Sequence, residues 1–168
     1  IVEFIIFDIY VLQRENAKKY YNLKDIKEAE LKYKNITKKE LERITLNILR
    51  GLPGSMVDSY DLESFRENLS KYNNLTKDKL QSNLNYFLKK IVPIAEKYNV
   101  YLGIHPDDPP INLFGIPRIV SNIEDYQFIN DSYDSIYNGF TFCAGSLAST
   151  NQNIYKILDK FINRIIFL

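Results

Sequence analysis

The chain has 168 residues but only one cysteine and one histidine. A single cysteine excludes an internal disulfide and a zinc site built from several cysteines. The sequence also lacks any apolar run close to the ~20 residues that a membrane-spanning helix needs. Its charges almost cancel, with 22 Lys and Arg against 21 Asp and Glu. The sequence therefore lacks the excess of positive charge that is typical of proteins that bind nucleic acid or an anionic membrane. We therefore predict no nucleic-acid partner and no membrane partner.

The rest of the composition is typical of a globular protein, with 45% hydrophobic and 26% charged residues. The length suits one domain, at ~100–200 residues per domain. No charged segment followed by an apolar stretch and a cleavage site opens the chain, so we expect a cytoplasmic protein without a signal peptide. The chain is apolar from Ile1 and stops at Leu168 in what reads as the opening of a buried strand. We expect a fragment of a larger protein, cut at both ends.

The first part of the sequence is predominantly helical. Residues 23–34 have helical composition without a breaker. Thr37 then lies three residues before Glu40, a capping-box spacing, and apolar residues follow at helical spacing. This pattern predicts a helix over 37–50. The Gly-Leu-Pro-Gly sequence at 51–54 should end this helix and form a loop.

Two further helices are predicted from capping residues. Asp61 precedes one apolar helical pattern, and Thr76 precedes a longer one. Pro93 falls inside the second pattern. Because proline removes a helical hydrogen bond and crowds the preceding turn, we predict a kink or a local break there.

From residue 100 onward, short apolar runs alternate with helical patterns. The predicted strands cover 100–104, 140–143 and 165–168. The predicted helices run from a cap at Ser121 to about residue 130, and from 153 to 163. This alternation implies parallel strands joined by crossover helices, so we predict an α/β fold.

The only histidine and the only cysteine both follow predicted strands. His105 and Cys143 lie 38 residues apart, about one βα unit of ~30 or more residues. They would then share the C-terminal edge of neighbouring strands, which carries the chemistry in α/β barrels. An imidazole and a thiolate would form half of a site for a borderline divalent ion. Alternatively, His105 is a loop histidine and Cys143 a small buried hydrophobic residue.

Four other residues near these strand ends are candidates for binding. Asp107 and Asp108 could bind metal or orient His105, although Asp before Pro is also a common turn residue. Arg118 could hold a substrate carboxylate in a bidentate way, or form a structural salt bridge. Gly-Ser at 145–146 offers backbone N–H groups and the hydroxyl of Ser146, which could hold an anionic or hydroxylated ligand.

Longer motifs surround these residues. They read His-Pro-Asp-Asp-Pro-Pro at 105–110, Leu-Phe-Gly-Ile-Pro-Arg-Ile-Val-Ser at 113–121 and Gly-Phe-Thr-Phe-Cys-Ala-Gly-Ser at 139–146. A fourth, Asn-Ile-Leu-Arg-Gly-Leu-Pro-Gly at 47–54, precedes a Tyr-x-x-x-x-Phe-Arg segment that ends at Arg66. In this order, and over essentially the whole chain, the sequence resembles the mannonate dehydratase family.

The resemblance implies a TIM (β/α)8 barrel of the xylose-isomerase-like type, with a helical insertion and an Mn²⁺ or Fe²⁺ cofactor. Residues 1–168 would form a single partial barrel domain, incomplete at both ends, with at most three of the eight strands. About 13–75 would be the insertion, and 76–168 the βα units that carry the site. His105 and Cys143 correspond to two metal ligands of the family. Residues 1–12, which read as a strand by composition, correspond to a family helix.

The implied reaction is the dehydration of D-mannonate to 2-dehydro-3-deoxy-D-gluconate in hexuronate catabolism. Arg118, Asp107 and Asp108 would orient the sugar acid. The catalytic residues are expected beyond Leu168, so these 168 residues alone are expected to be inactive. The alternatives are another divalent-metal-dependent sugar isomerase-like barrel enzyme and a non-catalytic truncated remnant. The helical segment of about 23–98 is a candidate subunit contact in a homo-oligomer.

Overall fold

The computed structural model describes residues 1–51, 61–150 and 152–168. The chain divides into two units, which are described separately below. One consists of Ile1–Asn74 with Asn112–Ile116, and the other of Leu75–Ile111 with Pro117–Leu168. Most of the loop predicted at 51–54 lies outside the described residues. Where the structure is described, none of its helices has both the length and the apolar character needed to cross a membrane.

The first unit is built from helices. They are α1 (Val2–Ile6), α2 (Leu23–Asn35), α3 (Lys38–Arg50) and α4 (Leu62–Ser70), with a π-helix (Phe7–Val11) and a 3-10 helix (Ala17–Tyr20). Thr37 accepts a hydrogen bond from the Glu40 N–H at 3.2 Å, and Asp61 accepts one from the Ser64 N–H at 2.7 Å. These caps satisfy N–H groups that have no partner inside the helix. The helices predicted at 23–34, at 37–50 and after Asp61 are confirmed, as is the helical start of the chain.

The core of the first unit is apolar and aromatic. Ile5 of α1 and Ala29 of α2 have no exposed surface and pack in one cluster. The ring of Phe114, which belongs to this unit, packs edge-on against Phe7 and Phe65 with centroids 6.0 and 5.5 Å apart. Edge-on packing of this kind stabilises aromatic clusters beyond the area that they bury. Segment 112–116 is therefore held by the core of the first unit.

A buried carboxylate also organises the first unit. Asp8 has no exposed surface, and the Arg14 guanidinium donates two hydrogen bonds to it, at 2.7 and 2.8 Å. The Tyr21 hydroxyl donates a third, at 2.6 Å. Burial and this bond to Asp8 raise the pKa of Tyr21. The charge of Asp8 is thus neutralised by a cation and satisfied by three donors, as a buried ion requires.

The second unit contains a parallel sheet and four helices in the described part of the chain. Its helices are α5 (Lys77–Lys97), α6 (Ile123–Ser132), α7 (Ala144–Ala148) and α8 (Ile154–Phe161), followed by a 3-10 helix (Ile162–Arg164). Its strands are β1 (Leu102–Ile104), β2 (Asn138–Thr141) and β3 (Ile165–Phe167). The strands pair in the order β1-β2-β3, and both pairings are parallel. The α/β class and the parallel strands predicted from the sequence are confirmed.

Side chains alternate between the two faces of this sheet. One face packs against a core of helical side chains that includes Leu88, Val92, Tyr126, Ile129, Ile157 and Phe161. The strand residues on that face are Leu102, Ile104, Phe140 and Phe142. Gly103 and Thr141 lie between them on the other face, where a Cβ on Gly103 would be 3.1 Å from the Thr141 hydroxyl oxygen. The same alternation puts His105 and Cys143 on the face of Gly103 and Thr141.

The structure differs from two predicted details of the second unit. Helix α5 continues through Pro93 to Lys97, so the local break given as one alternative is absent, whereas the other alternative, a kink, stays a prediction. The lost hydrogen bond is outweighed because α5 buries apolar residues on both sides of the proline, including Val92 and Ala95. The cap of α6 is Asn122 rather than Ser121, and it accepts a hydrogen bond from the Asp125 N–H at 2.9 Å.

Candidate functional site

His105 and Cys143 are brought together by the pairing of β1 with β2. Ile104, which precedes His105, pairs with Phe140 in parallel register. The carboxyl ends of the two strands therefore share one edge of the sheet. His105 is close enough to the Cys143 thiol to be one of the causes that lower the pKa of Cys143. The predicted placement of the only histidine and the only cysteine at the carboxyl ends of neighbouring parallel strands is confirmed, whereas their metal-binding role stays a prediction.

The orientation of the His105 ring is fixed by its own loop. Nδ1 lies 2.7 Å from the carbonyl oxygen of Pro106. Because a carbonyl can only accept, the proton of this hydrogen bond must be on Nδ1. The neutral ring then has its free lone pair on Nε2, and the ring is exposed. A backbone carbonyl on one ring nitrogen is the usual arrangement for a histidine whose other nitrogen binds a metal.

The Cys143 thiol is held by Ser146, which is three residues further along the chain. The Ser146 hydroxyl donates a hydrogen bond to the sulfur at 3.2 Å, and only 4% of Ser146 is exposed. Hydrogen bonds from the hydroxyl and the backbone N–H of Ser146 lower the pKa of Cys143 to about 7, and His105 contributes in the same direction. A substantial fraction of the thiol is therefore thiolate at neutral pH, and thiolate is the form that binds metals.

Asp107 connects the loop after β1 to the segment that precedes α6. Its Oδ2 accepts hydrogen bonds from the N–H groups of Ile119 and Val120, at 3.0 and 2.6 Å, and from the Ser121 hydroxyl at 3.0 Å. The Asp107 N–H donates to the Val120 carbonyl at 3.0 Å. The side chain thus has a structural role, which supports the loop that carries His105, whereas the suggested roles of Asp107 in metal and substrate binding stay predictions.

Arg118 and Asp108 lie beside the same loop. The Arg118 Nε donates to the Ile111 carbonyl at 3.0 Å, and its Nη1 is 3.9 Å from Asp107 Oδ1. The guanidinium is half-buried, with 27% of the side chain exposed. Asp108 is exposed and precedes a cis peptide bond to Pro109. Both residues are thus near the loop that carries His105, and their contacts with a substrate stay predictions.

One polar group close to this site was missed by the sequence analysis. Tyr126 of α6 is 1% exposed, and its hydroxyl is buried without a hydrogen-bond partner among the described residues. Burial raises the pKa of Tyr126, and the negative charges of Asp107 and Cys143 raise it further. The ring packs on Phe140 with centroids 4.8 Å apart. A tyrosine on an apolar helix face reads as a core residue, so the sequence gives no signal for this hydroxyl.

The chemistry of the donors fits a divalent transition metal. Nε2 of His105 and the sulfur of Cys143 are ligands of the kind that bind borderline ions. Residues 1–51, 61–150 and 152–168 contain no group of three or more His, Cys, Asp or Glu side chains placed to hold a metal. The pair therefore supplies two ligands, fewer than the four or more that most metal sites in proteins have.

The parallel sheet with crossover helices defines an α/β protein, and the carboxyl edge that carries His105 and Cys143 is where such folds bind ligands. The family model described as D-mannonate dehydratase matches residues 9–168. The chain therefore belongs to the D-mannonate dehydratase family.

Individual relatives agree with this assignment. The mannonate dehydratase of Rhizobium meliloti (strain 1021) is 39% identical over 168 residues, which are 99% of this chain and 42% of the relative. That of Marinomonas sp. (strain MWYL1) is 38% identical over 98% of this chain and 42% of the relative. The crystal structure of mannonate dehydratase from Streptococcus suis serotype2 is similar with a TM-score of 0.61 and 38% identity, over 67% of this chain and 33% of that one. The chain thus spans about 42% of the length of these curated relatives.

Proposed function

We propose that the whole protein carrying this chain is a metal-dependent hydro-lyase that dehydrates D-mannonate to 2-dehydro-3-deoxy-D-gluconate. The observation that carries this proposal is the 39% identity to a mannonate dehydratase over 99% of the chain. The site residues 105–110 and 139–146 lie inside the segment matched by the family model. The closeness of His105 to Cys143 supports the same function.

His105 and Cys143 are the residues that we propose as ligands of Mn²⁺ or Fe²⁺. The support is their chemistry: a ring nitrogen left with its lone pair and a thiol whose pKa is lowered to about 7. The remaining ligands would come from parts of the protein outside residues 1–168. When bound, the ion would supply a Lewis acid for the carboxylate and C2 hydroxyl of the sugar acid.

Arg118 and Asp108 are proposed to orient the substrate. A guanidinium matches the geometry of a carboxylate and can bind it through two hydrogen bonds. Arg118 is anchored through its Nε to Ile111, which would fix the position of its guanidinium beside the loop of His105. The reaction removes a proton from C2 and hydroxide from C3, which leave as one water, and the enol formed becomes the 2-keto acid. The groups that move these protons are expected outside residues 1–168.

We further propose that the second unit is part of a TIM barrel of the xylose-isomerase-like type. Adjacent parallel strands in chain order, with crossover helices between them, are the repeating unit of such a barrel. Residues of about 13–75 would then be a helical insertion in one barrel domain. The whole protein would be cytoplasmic, with residues of about 23–98 as a candidate contact in a homo-oligomer.

The test is a substrate panel with the purified whole protein. D-mannonate, other aldonates, uronates and aldoses would be incubated with Mn²⁺ or Fe²⁺, and the 2-keto-3-deoxy product would be followed. We expect turnover of D-mannonate, no turnover by residues 1–168 alone, and loss of metal and activity in His105→Ala and Cys143→Ala. Ser149→Ala is the control, because the Ser149 hydroxyl donates to a backbone carbonyl, that of Ser146. Isomerisation of an aldose without dehydration of mannonate would refute the proposal, as would full metal occupancy in both ligand variants.

A further inference from the structure

The hydroxyl of Ser146 faces a sulfur atom and has almost no contact with solvent. It donates to Cys143 Sγ at 3.2 Å, and 4% of the residue is exposed. A serine hydroxyl has a single proton to donate. A hydroxyl that donates to the sulfur therefore has no proton left for a substrate, and its burial limits access to it. These two facts favour a role of the hydroxyl that is directed at Cys143.

The backbone around Ser146 keeps this hydroxyl in place. Cys143 is the first residue before α7, and its carbonyl accepts from the Leu147 N–H at 3.0 Å. The Leu147 side chain is fully buried. The short helical turn that carries Ser146 is thus fixed both to Cys143 and to the apolar core of the second unit.

We propose that Ser146 is a positioning residue, which holds the Cys143 sulfur in the orientation where it converges with the His105 ring. A cysteine side chain has staggered rotamers that direct the sulfur to different places. The hydrogen bond from Ser146 favours one of them. The part of this proposal that concerns a bound metal rests on the proposed function, whereas the contact between Ser146 and Cys143 does not.

The hydrogen bond from Ser146 to Cys143 should also affect the affinity for a bound metal. Groups that hydrogen-bond to a metal ligand orient it, and their loss typically weakens metal binding by about 10–100-fold. Loss of the Ser146 hydroxyl should therefore weaken metal binding although Ser146 is not itself a ligand. If Ser146 instead contacted the sugar acid, its loss would raise KM and leave metal binding unchanged.

The test compares Ser146→Ala with Ser149→Ala in the whole protein, without substrate. Both substitutions remove one hydroxyl, and the two positions are three residues apart. The Ser146 hydroxyl donates to the sulfur, whereas the Ser149 hydroxyl donates to the Ser146 carbonyl. Co²⁺ is the probe, because a sulfur ligand gives it a charge-transfer band that Cys143→Ala would lack. A second readout is the rate at which iodoacetamide alkylates Cys143 in the metal-free protein at pH 7, followed on the peptide that contains it.

We expect Ser146→Ala to bind Co²⁺ about tenfold more weakly, with a shifted charge-transfer band. We also expect it to be alkylated several times more slowly, because the thiolate has lost a donor. Ser149→Ala should match the wild type in both measurements. If Ser146→Ala matches Ser149→Ala in both, the proposal is wrong, and a raised KM for mannonate would then assign Ser146 to the substrate.

The two proposals can fail separately. If the wild-type protein does not dehydrate mannonate, the proposed function fails, but the alkylation comparison still decides the role of Ser146. If mannonate is dehydrated and the two serine variants behave alike in both measurements, only the positioning role is lost.

Discussion

Asp107 and Val120 are joined by a reciprocal pair of hydrogen bonds. The Asp107 N–H donates to the Val120 carbonyl at 3.0 Å, and the Val120 N–H donates to the Asp107 carboxylate at 2.6 Å. The same carboxylate oxygen also accepts from Ile119 and Ser121. Because Asp107 is two residues after His105, this network fixes the loop that presents the imidazole.

The first prediction concerns the stability that Asp107 contributes. Asp107→Ala leaves two backbone N–H groups and a hydroxyl without their acceptor, so we expect a loss of about 2–3 kcal/mol in the free energy of unfolding. Urea titration of the whole protein would measure it. Asp108→Ala is the control, because its side chain is exposed, and it should change stability by at most about 0.5 kcal/mol. Equal losses in the two variants would contradict the structural role of Asp107.

The elements that the sequence predicts well are those with local causes. The cap at Thr37 and its partner Glu40 are three residues apart, and the strand before His105 is a short apolar run next to a proline-rich loop. The meeting of His105 with Cys143 is also predictable, because two parallel strands in successive βα units share a carboxyl edge. In each case neighbouring residues, or one general rule of topology, are sufficient.

The role of Asp107 has a different origin and could not be predicted. Its acceptor contacts come from N–H groups and a hydroxyl 12 to 14 residues away. An Asp-Asp-Pro sequence is equally compatible with a turn, a metal ligand or this long-range network. The buried Tyr126 hydroxyl, which has no hydrogen-bond partner among the described residues, could not be predicted either, since its environment is set by three-dimensional packing. Such contacts depend on the tertiary fold, which local patterns do not encode.

The second prediction is the pH dependence of Cys143. Its pKa is lowered from 9.0 to about 7 in the folded chain, so alkylation of the native, metal-free protein should rise with a midpoint near pH 7. In the denatured chain the midpoint should return towards 9.0. Because the pKa of Cys143 is lower in the folded than in the unfolded chain, its ionisation stabilises the folded state. This stabilisation is complete above pH 9.0 and is lost as the pH falls through about 7. Identical midpoints for native and denatured protein would refute this.

The third prediction separates a buried ion pair from an exposed one. Arg14→Met leaves the fully buried Asp8 carboxylate without its cation, which should cost about 3–5 kcal/mol of stability. Lys18→Met breaks a pair of similar length, Lys18 Nζ to Glu30 at 2.6 Å, but both of its members are exposed. We expect little measurable change there, because exposed pairs are screened by water and salt. Thermal unfolding of the two variants provides the comparison, and equal losses would contradict a dominant effect of burial.

The fourth prediction uses two glycines of the second unit. A Cβ on Gly139 of β2 would lie closer than 3.0 Å to the backbone carbonyl oxygen of Arg164. A Cβ on Gly145 of α7 would meet no atom within 4 Å in the described part of the chain, apart from its own helical backbone and chain neighbours. Gly139→Ala must therefore push β3 away from β2, and we expect a loss of about 1–3 kcal/mol. Gly145→Ala should leave stability unchanged or raise it by up to about 1 kcal/mol, because alanine favours a helix. Thermal unfolding of both variants would decide, and a Gly139→Ala protein as stable as Gly145→Ala would show that the two strands do not pack this closely.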